Sequence, residues 1–122
     1  LHGTPCNFLH KEWMMPNFWA LMQDIAGAPC EQDPERYERL SMCNYIGEQN
    51  PPTFFIEAEL EHLFPWCDTL EICKKHRDMG IASHWKVYTR MEHGFFYELK
   101  RNGQKETFED ICLFLEGKLE TL

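Results

Sequence analysis

The residues best suited to chemistry in this chain are carboxylates and one histidine, placed where two apolar runs end. "PPTFFIEAELEH" (51–62) leaves its apolar run through acids at alternate positions, Glu57, Glu59 and Glu61. "MEHGFF" (91–96) sets His93 just before a glycine and two phenylalanines. A carboxylate that holds an imidazole by its Nδ1–H fixes the tautomer and stabilises the imidazolium, so that the other ring nitrogen can move a proton. A histidine alone more often serves a loop. The chemical reading therefore requires the two segments to be neighbours in space, and the elements around them must bring that about.

Thr53 to Ile56 is a run of β-branched and aromatic residues without polar alternation, which predicts a strand covered on both faces, as in a parallel sheet. "SHWKVYTRM" (83–91) predicts a second strand, with Trp85 and Val87 on one side and His84, Lys86 and Tyr88 on the other. Between them a helix is expected through "TLEICKKHRDMG", capped by Asp68 or Thr69 and stopped at Gly80. A last helix is expected from Gln104 to Leu119, with Phe108, Ile111, Cys112 and Leu115 as its apolar face. Strand, helix, strand, helix is a parallel crossover followed by a closing helix, hence α/β. Ligands of open parallel sheets gather at the carboxyl ends of the strands, which is where the acids and His93 stand. Sheets usually carry about four to six strands, so two predict the end of a sheet that begins elsewhere.

The first half reads differently. Phe18, Leu21, Met22 and Ile25 share a helical face closed by Gly27, and Asp33 with Pro34 starts a short helix to Leu40. "LHGTP" reads as the end of a strand running into a loop. The expected organisation is a helical and loop segment over 1–50, cap-like or lining a pocket, and a βαβα unit over 51–122.

These stretches resemble the C-terminal third of α/β-hydrolase esterases and lipases, with the hormone-sensitive-lipase-like and acetylesterase-like branches nearest. The resemblance covers residues 34–120. In that family the acid follows a strand read as prolines, an apolar run and a small residue, and the histidine arrives as His-Gly-Phe. It implies Glu61 as the acid and His93 as the histidine of a Ser-His-Asp/Glu triad, 32 residues apart, with Gly94 and Phe95 completing the motif. Glu replaces the usual Asp, which the fold accepts, and Glu59 and Glu57 are its rivals. The nucleophile of such a triad sits in G-x-S-x-G, yet the only serines are Ser41 in "RLSMCNY" and Ser83 in "IASHWKV". The resemblance thus implies the acid-and-histidine portion of an enzyme cleaving small carboxylic esters. The serine and oxyanion donors would lie upstream of Leu1, and this chain by itself would be inactive. A non-catalytic module that keeps the hydrolase frame is the alternative, and Trp13 to Trp19 would line an acyl pocket.

Composition narrows the rest. A net charge of −8 argues against nucleic acid and anionic membrane surfaces. No apolar run reaches the roughly 20 residues of a membrane span. Six cysteines and six histidines invite a metal reading, but no C-x-x-C exists and Cys73-x-x-His76 is the only tight spacing. No metal or cofactor is expected, the cysteines are read as reduced core thiols, and His62, His76 and His84 as surface residues. The expected location is the cytoplasm, and bare parallel edges predict self-association.

Overall fold

The computed structural model describes residues 1–120. Four α-helices and two strands follow in the order α1 (Pro16–Ala26), α2 (Pro34–Leu40), β1 (Phe54–Leu60), α3 (Cys67–Asp78), β2 (His84–Glu92) and α4 (Asn102–Leu115). β1 and β2 pair in parallel as a two-stranded sheet. The N-terminal segment lies against the other edge of β1. Ile56 N donates to Leu1 O and Gly3 N donates to Ile56 O, which makes His2 a one-residue parallel bridge. "LHGTP" is therefore strand-like, as its sequence implied.

The register of the pair decides which residues meet where the strands end. Phe54 faces His84 and Ala58 faces Tyr88, but Leu60 faces Glu92. A bulge in β2 has inserted two residues between the last two of these pairs, and Arg90 takes a left-handed backbone there, with φ 58°. Its amide donates to Glu59 Oε2 at 2.8 Å, which pins the bulge to β1.

Each face of the sheet is covered. Phe55 packs with Ile72 and Cys73 of α3 and with Cys6. Phe54, Ile56, Ala58 and Tyr88 pack on the other side with Ile111 and Phe114 of α4 and with Phe95. A separate cluster holds the first half together, with Trp19, Met22 and Ala26 of α1 against Tyr37 and Phe64. Phe64 belongs to the loop after β1, so this cluster also props the end of that strand.

Several expectations need correction. β1 runs on to Leu60, past the predicted Ile56, because Glu57 is swallowed by the core instead of ending the strand. α1 buries Trp19, Met22 and Ala26, while Leu21 and Ile25 are exposed. The larger indole found the core, and the stripe turned by about one position. α3 begins after Trp66 with no side-chain cap, since Asp68 bonds His10 and Thr69 bonds Trp66 O. α4 turns Gln104, Thr107 and Asp110 inward and leaves Phe108 and Leu115 exposed. Those polar groups are buried because each has a partner: Gln104 Nε2 donates to Phe95 O and Thr107 Oγ1 to Gly103 O, both at 2.7 Å, and Asp110 accepts from Lys86 and Tyr88. His76 is a core residue, its Nδ1 2.9 Å from Ser83 Oγ. It falls one helical turn from Ile72 and Cys73, on the face that α3 buries.

Candidate active site

β1 ends at Leu60 and β2 at Glu92, and these two residues face each other. The next residue on each strand is therefore Glu61 and His93. Their 32-residue separation equals the offset that the bulge creates. Were the bulge flattened into the register of the earlier pairs, Glu61 would face Met91 in place of His93.

The two side chains meet at 2.6 Å, Glu61 Oε2 to His93 Nδ1. The Glu61 side chain is wholly shut off from solvent, whereas 31% of the His93 side chain remains exposed. Glu61 Oε1 accepts from the amides of His62 and Leu63, at 3.0 and 2.9 Å. Both carboxylate oxygens are thus occupied, which fixes the extra methylene of a glutamate in one conformation. With its Nδ1–H given to Glu61, His93 has Nε2 left for exchanging a proton with another group.

The ring is walled in on its flanks. Phe64 meets it edge-on, with ring centroids 5.6 Å apart. Gly3 lies beside the ring, where a Cβ would make ordinary contact at 3.5 Å with His93 Cε1 and Nδ1, and its φ of 50° suits glycine. His2 stacks edge-on against Phe95 at 4.9 Å. Burial, followed by the neighbouring His93, holds His2 below the usual histidine range. Sequence reasoning placed His2 and Gly3 at a strand end but did not bring them to His93, because only the parallel bridge to Ile56 does so.

The rival acids have other occupations. Glu59 accepts the Arg90 amide, and Glu57 is buried beside Thr69. Ser41 is buried, donating to Tyr37 O and accepting from Phe8 N. Ser83 is buried against His76 and Thr53. Trp13 and Trp19 part company, since Trp19 is core while Trp13 is exposed and stacks on His10, which in turn bonds Asp68.

Beside the dyad, Trp13, Glu61, His62, Phe64 and Trp66 line a cleft of about 300 Å³. A cavity of about 410 Å³ lies along the start of β2, between Arg77, Lys86 and Leu113. Glu61 lines only the first of these, and His93 lines neither. Among the described residues no cluster of His, Cys, Asp and Glu is arranged to hold a metal ion, and no helix is long and apolar enough to cross a membrane.

No protein-family model and no curated protein matches this sequence. Solved structures do match. A truncated form of a carbohydrate esterase from gut microbiota superposes on 71% of this chain and 29% of its own, at 15% identity and a TM-score of 0.56. Esterase 2 of Thermogutta terrifontis phosphorylated by paraoxon matches over 70% of this chain and 35% of its own, at 17% identity and a TM-score of 0.54. The same esterase phosphonylated by sarin matches over 75% and 36%, at 18% identity and a TM-score of 0.54. At these identities the likeness is one of fold, over part of each esterase chain. The chain spans about a third of the length of the solved chains it resembles.

Proposed function

We propose that this chain is the C-terminal portion of a carboxylic-ester hydrolase of the α/β-hydrolase fold, supplying the acid and the histidine of a Ser-His-Glu triad. The observation that carries this reading is the 2.6 Å contact between the closed-off Glu61 carboxylate and the half-open His93 imidazole, at the carboxyl ends of adjacent parallel strands. The hydroxyl nucleophile comes from a segment preceding Leu1. Supporting this, the chain's own serines are engaged elsewhere, and the part of it that matches covers only about a third of each esterase structure.

In the complete enzyme His93 Nε2 takes the serine proton as the hydroxyl oxygen attacks the ester carbonyl, and Glu61 stabilises the imidazolium. Nε2 then returns the proton to the departing alcohol. Water cleaves the acyl-serine by the same route, releasing the acid. The cleft walled by Trp13, Phe64 and Trp66 receives part of a small ester. The 1–50 segment adds Trp13 to that wall and covers the neighbouring edge of β1 through His2, and the protein works in the cytoplasm. A bare strand edge also allows pairing with a second copy.

Joining the chain to its encoded N-terminal sequence and assaying p-nitrophenyl acetate tests this. Turnover is expected, and His93→Ala should lower kcat by about 10²–10⁴-fold. An unchanged rate in that variant removes the dyad from the chemistry. Turnover by the 122-residue chain alone, abolished by His93→Ala, overturns the upstream nucleophile.

A further inference from the structure

Glu57 has no part in this acyl-transfer scheme. It stands on β1 four residues before Glu61, its residue only 1% exposed, and Oε2 has no hydrogen-bond partner among the described residues. Three groups converge on the Thr69 hydroxyl oxygen: Trp85 Nε1 at 3.0 Å, the Trp66 carbonyl at 2.8 Å and Glu57 Oε1 at 2.8 Å.

Counting protons decides the charge of the acid. The indole N–H can only donate, the carbonyl can only accept, and the hydroxyl has a single proton to give. Were Glu57 a carboxylate, Trp66 O and Glu57 Oε1 would both need that one proton. One of the two 2.8 Å contacts would then join two acceptors. A proton on Glu57 resolves this. Glu57 donates to Thr69 Oγ1, Thr69 donates to Trp66 O, and Trp85 donates to the remaining lone pair of Thr69.

We propose that Glu57 is a positioning residue kept as a neutral acid, whose proton fastens the first turn of α3 to both strands. That turn ends the 61–66 loop, so the same clasp steadies the segment that carries Glu61. Burial is the main cause that pushes the Glu57 carboxyl up, to about 7, with Glu61 adding to it. The ionisable groups around it are Glu61 at its own strand's end, Cys6 and the Leu1 amino group of the N-terminal segment, and Asp68 of α3, which acts on the same Cys6 thiol. Of these only the Leu1 amino group favours a charged Glu57. Leaving Glu57 neutral makes Glu61 the charged member of two nearby acids, a benefit that rests on the hydrolase reading. The neutrality itself does not rest on it.

The pH dependence has a definite sign. The folded chain holds this proton more tightly than the unfolded chain, whose glutamate titrates near 4.5. The stabilisation is complete below that value and is lost as pH rises through about 7.

The test is a carboxyl ¹³C NMR titration of the 122-residue chain, with Glu57 assigned through its own backbone so that no variant is needed. The expected result is a protonated signal persisting through about pH 6 and moving near 7. A signal that moves with the exposed glutamates below about pH 5 overturns the proposal. Glu57→Gln gives an independent arm, because its amide N–H can donate to Thr69 at every pH. Wild type should lose stability against Glu57→Gln between about pH 4.5 and 7, whereas parallel pH profiles would mean a role in shape alone and overturn the proposal. Neither readout uses activity, so failure here leaves the ester-hydrolase reading standing.

Discussion

Along β2, the ion pair at the middle and the one just past the end are built to opposite ends. In its middle, Lys86 Nζ donates to Asp110 at 2.7 Å and to Glu106 at 2.8 Å, and Tyr88 donates to the same Asp110 oxygen. Every member has its partners within the β2–α4 interface. Burial works against the Lys86 charge, but the bonds from Asp110 and Glu106 outweigh it and hold the amine above its ordinary range. Burial and then Asp110 push the Tyr88 phenol far up. Just past the end of the strand, Glu61 is equally enclosed, yet its partner His93 is engaged on one nitrogen and open on the other. A pair that is saturated on all sides serves cohesion. A pair saturated on one side only can pass a proton outward, and that asymmetry separates the site from the scaffold.

The sharpest way to break this contrast is to remove the acid from each pair. Asp110→Ala leaves the Lys86 ammonium with Glu106 alone and takes the acceptor from the Tyr88 hydroxyl in a largely closed interface. It should cost about 2–3 kcal/mol, read as a lower urea midpoint at unchanged slope. Glu61→Gln keeps an acceptor for the His62 and Leu63 amides and turns an NH₂ to His93 Nδ1, which can accept it by switching tautomer, so its cost should stay under about 1 kcal/mol. If the two losses were equal, the dyad would be another structural clasp.

The bulge can be probed next. Arg90 holds φ 58°, a conformation that a β-branched residue adopts badly. Arg90→Val should destabilise by about 1–2 kcal/mol, and Arg90→Gly should cost nothing or stabilise slightly. Because this bulge sets Glu61 opposite His93, the valine variant should also weaken the strongly deshielded Nδ1–H proton signal that a 2.6 Å bond produces. A full-strength signal in Arg90→Val would show that the loops, not the register, align the pair. The same proton measures the dyad directly. In Glu61→Gln it should move upfield or vanish while the fold persists, and an unchanged signal would mean that His93 does not depend on Glu61.

How much was legible beforehand depends on the range of each cause. The strand-helix-strand-helix order, the caps at Asp33 and Pro34, and the pairing of an acid with His93 are written in short patterns: apolar runs, a Pro-started helix, a His-Gly-Phe motif. The bulge was not legible. "YTRMEHG" has no glycine at the left-handed position, so nothing local announces that Arg90 occupies it. Gly3 at the imidazole, Thr69 under Glu57 and Asp110 under Tyr88 were equally hidden, since each joins residues from separate elements. The helix faces slipped for a related reason. Periodicity ranks apolar residues, but α4 faces the sheet with Gln104, Thr107 and Asp110, and the partners of Gln104 and Asp110 lie outside the helix. Glu57 is the extreme case: read as a rival to the triad acid, it proved to be a core residue.

The smallest expected effect concerns that core's second titratable member. His76 lies under α3 with Nδ1 against Ser83 Oγ, and Ser83 Oγ also accepts the Thr53 amide at 3.2 Å. A neutral ring suits this arrangement, because the serine can spend its own proton on Nδ1. Burial accordingly holds His76 below the usual histidine value of 6.5. The unfolded chain then binds this proton more readily, so the contribution is present above 6.5 and fades as pH falls through that value toward the folded one. Glu57 acts with the opposite sign, losing its contribution as pH rises through about 7. The two face the same layer between β1 and α3, and their opposite slopes offset each other below about pH 6.5. His76→Gln should remove the contribution that rises toward pH 6.5 and leave the shape of the profile on the alkaline side of that value as it was. A profile altered on the alkaline side instead would mean that the two groups titrate as one coupled pair, and that the interface under the dyad responds to pH as a unit.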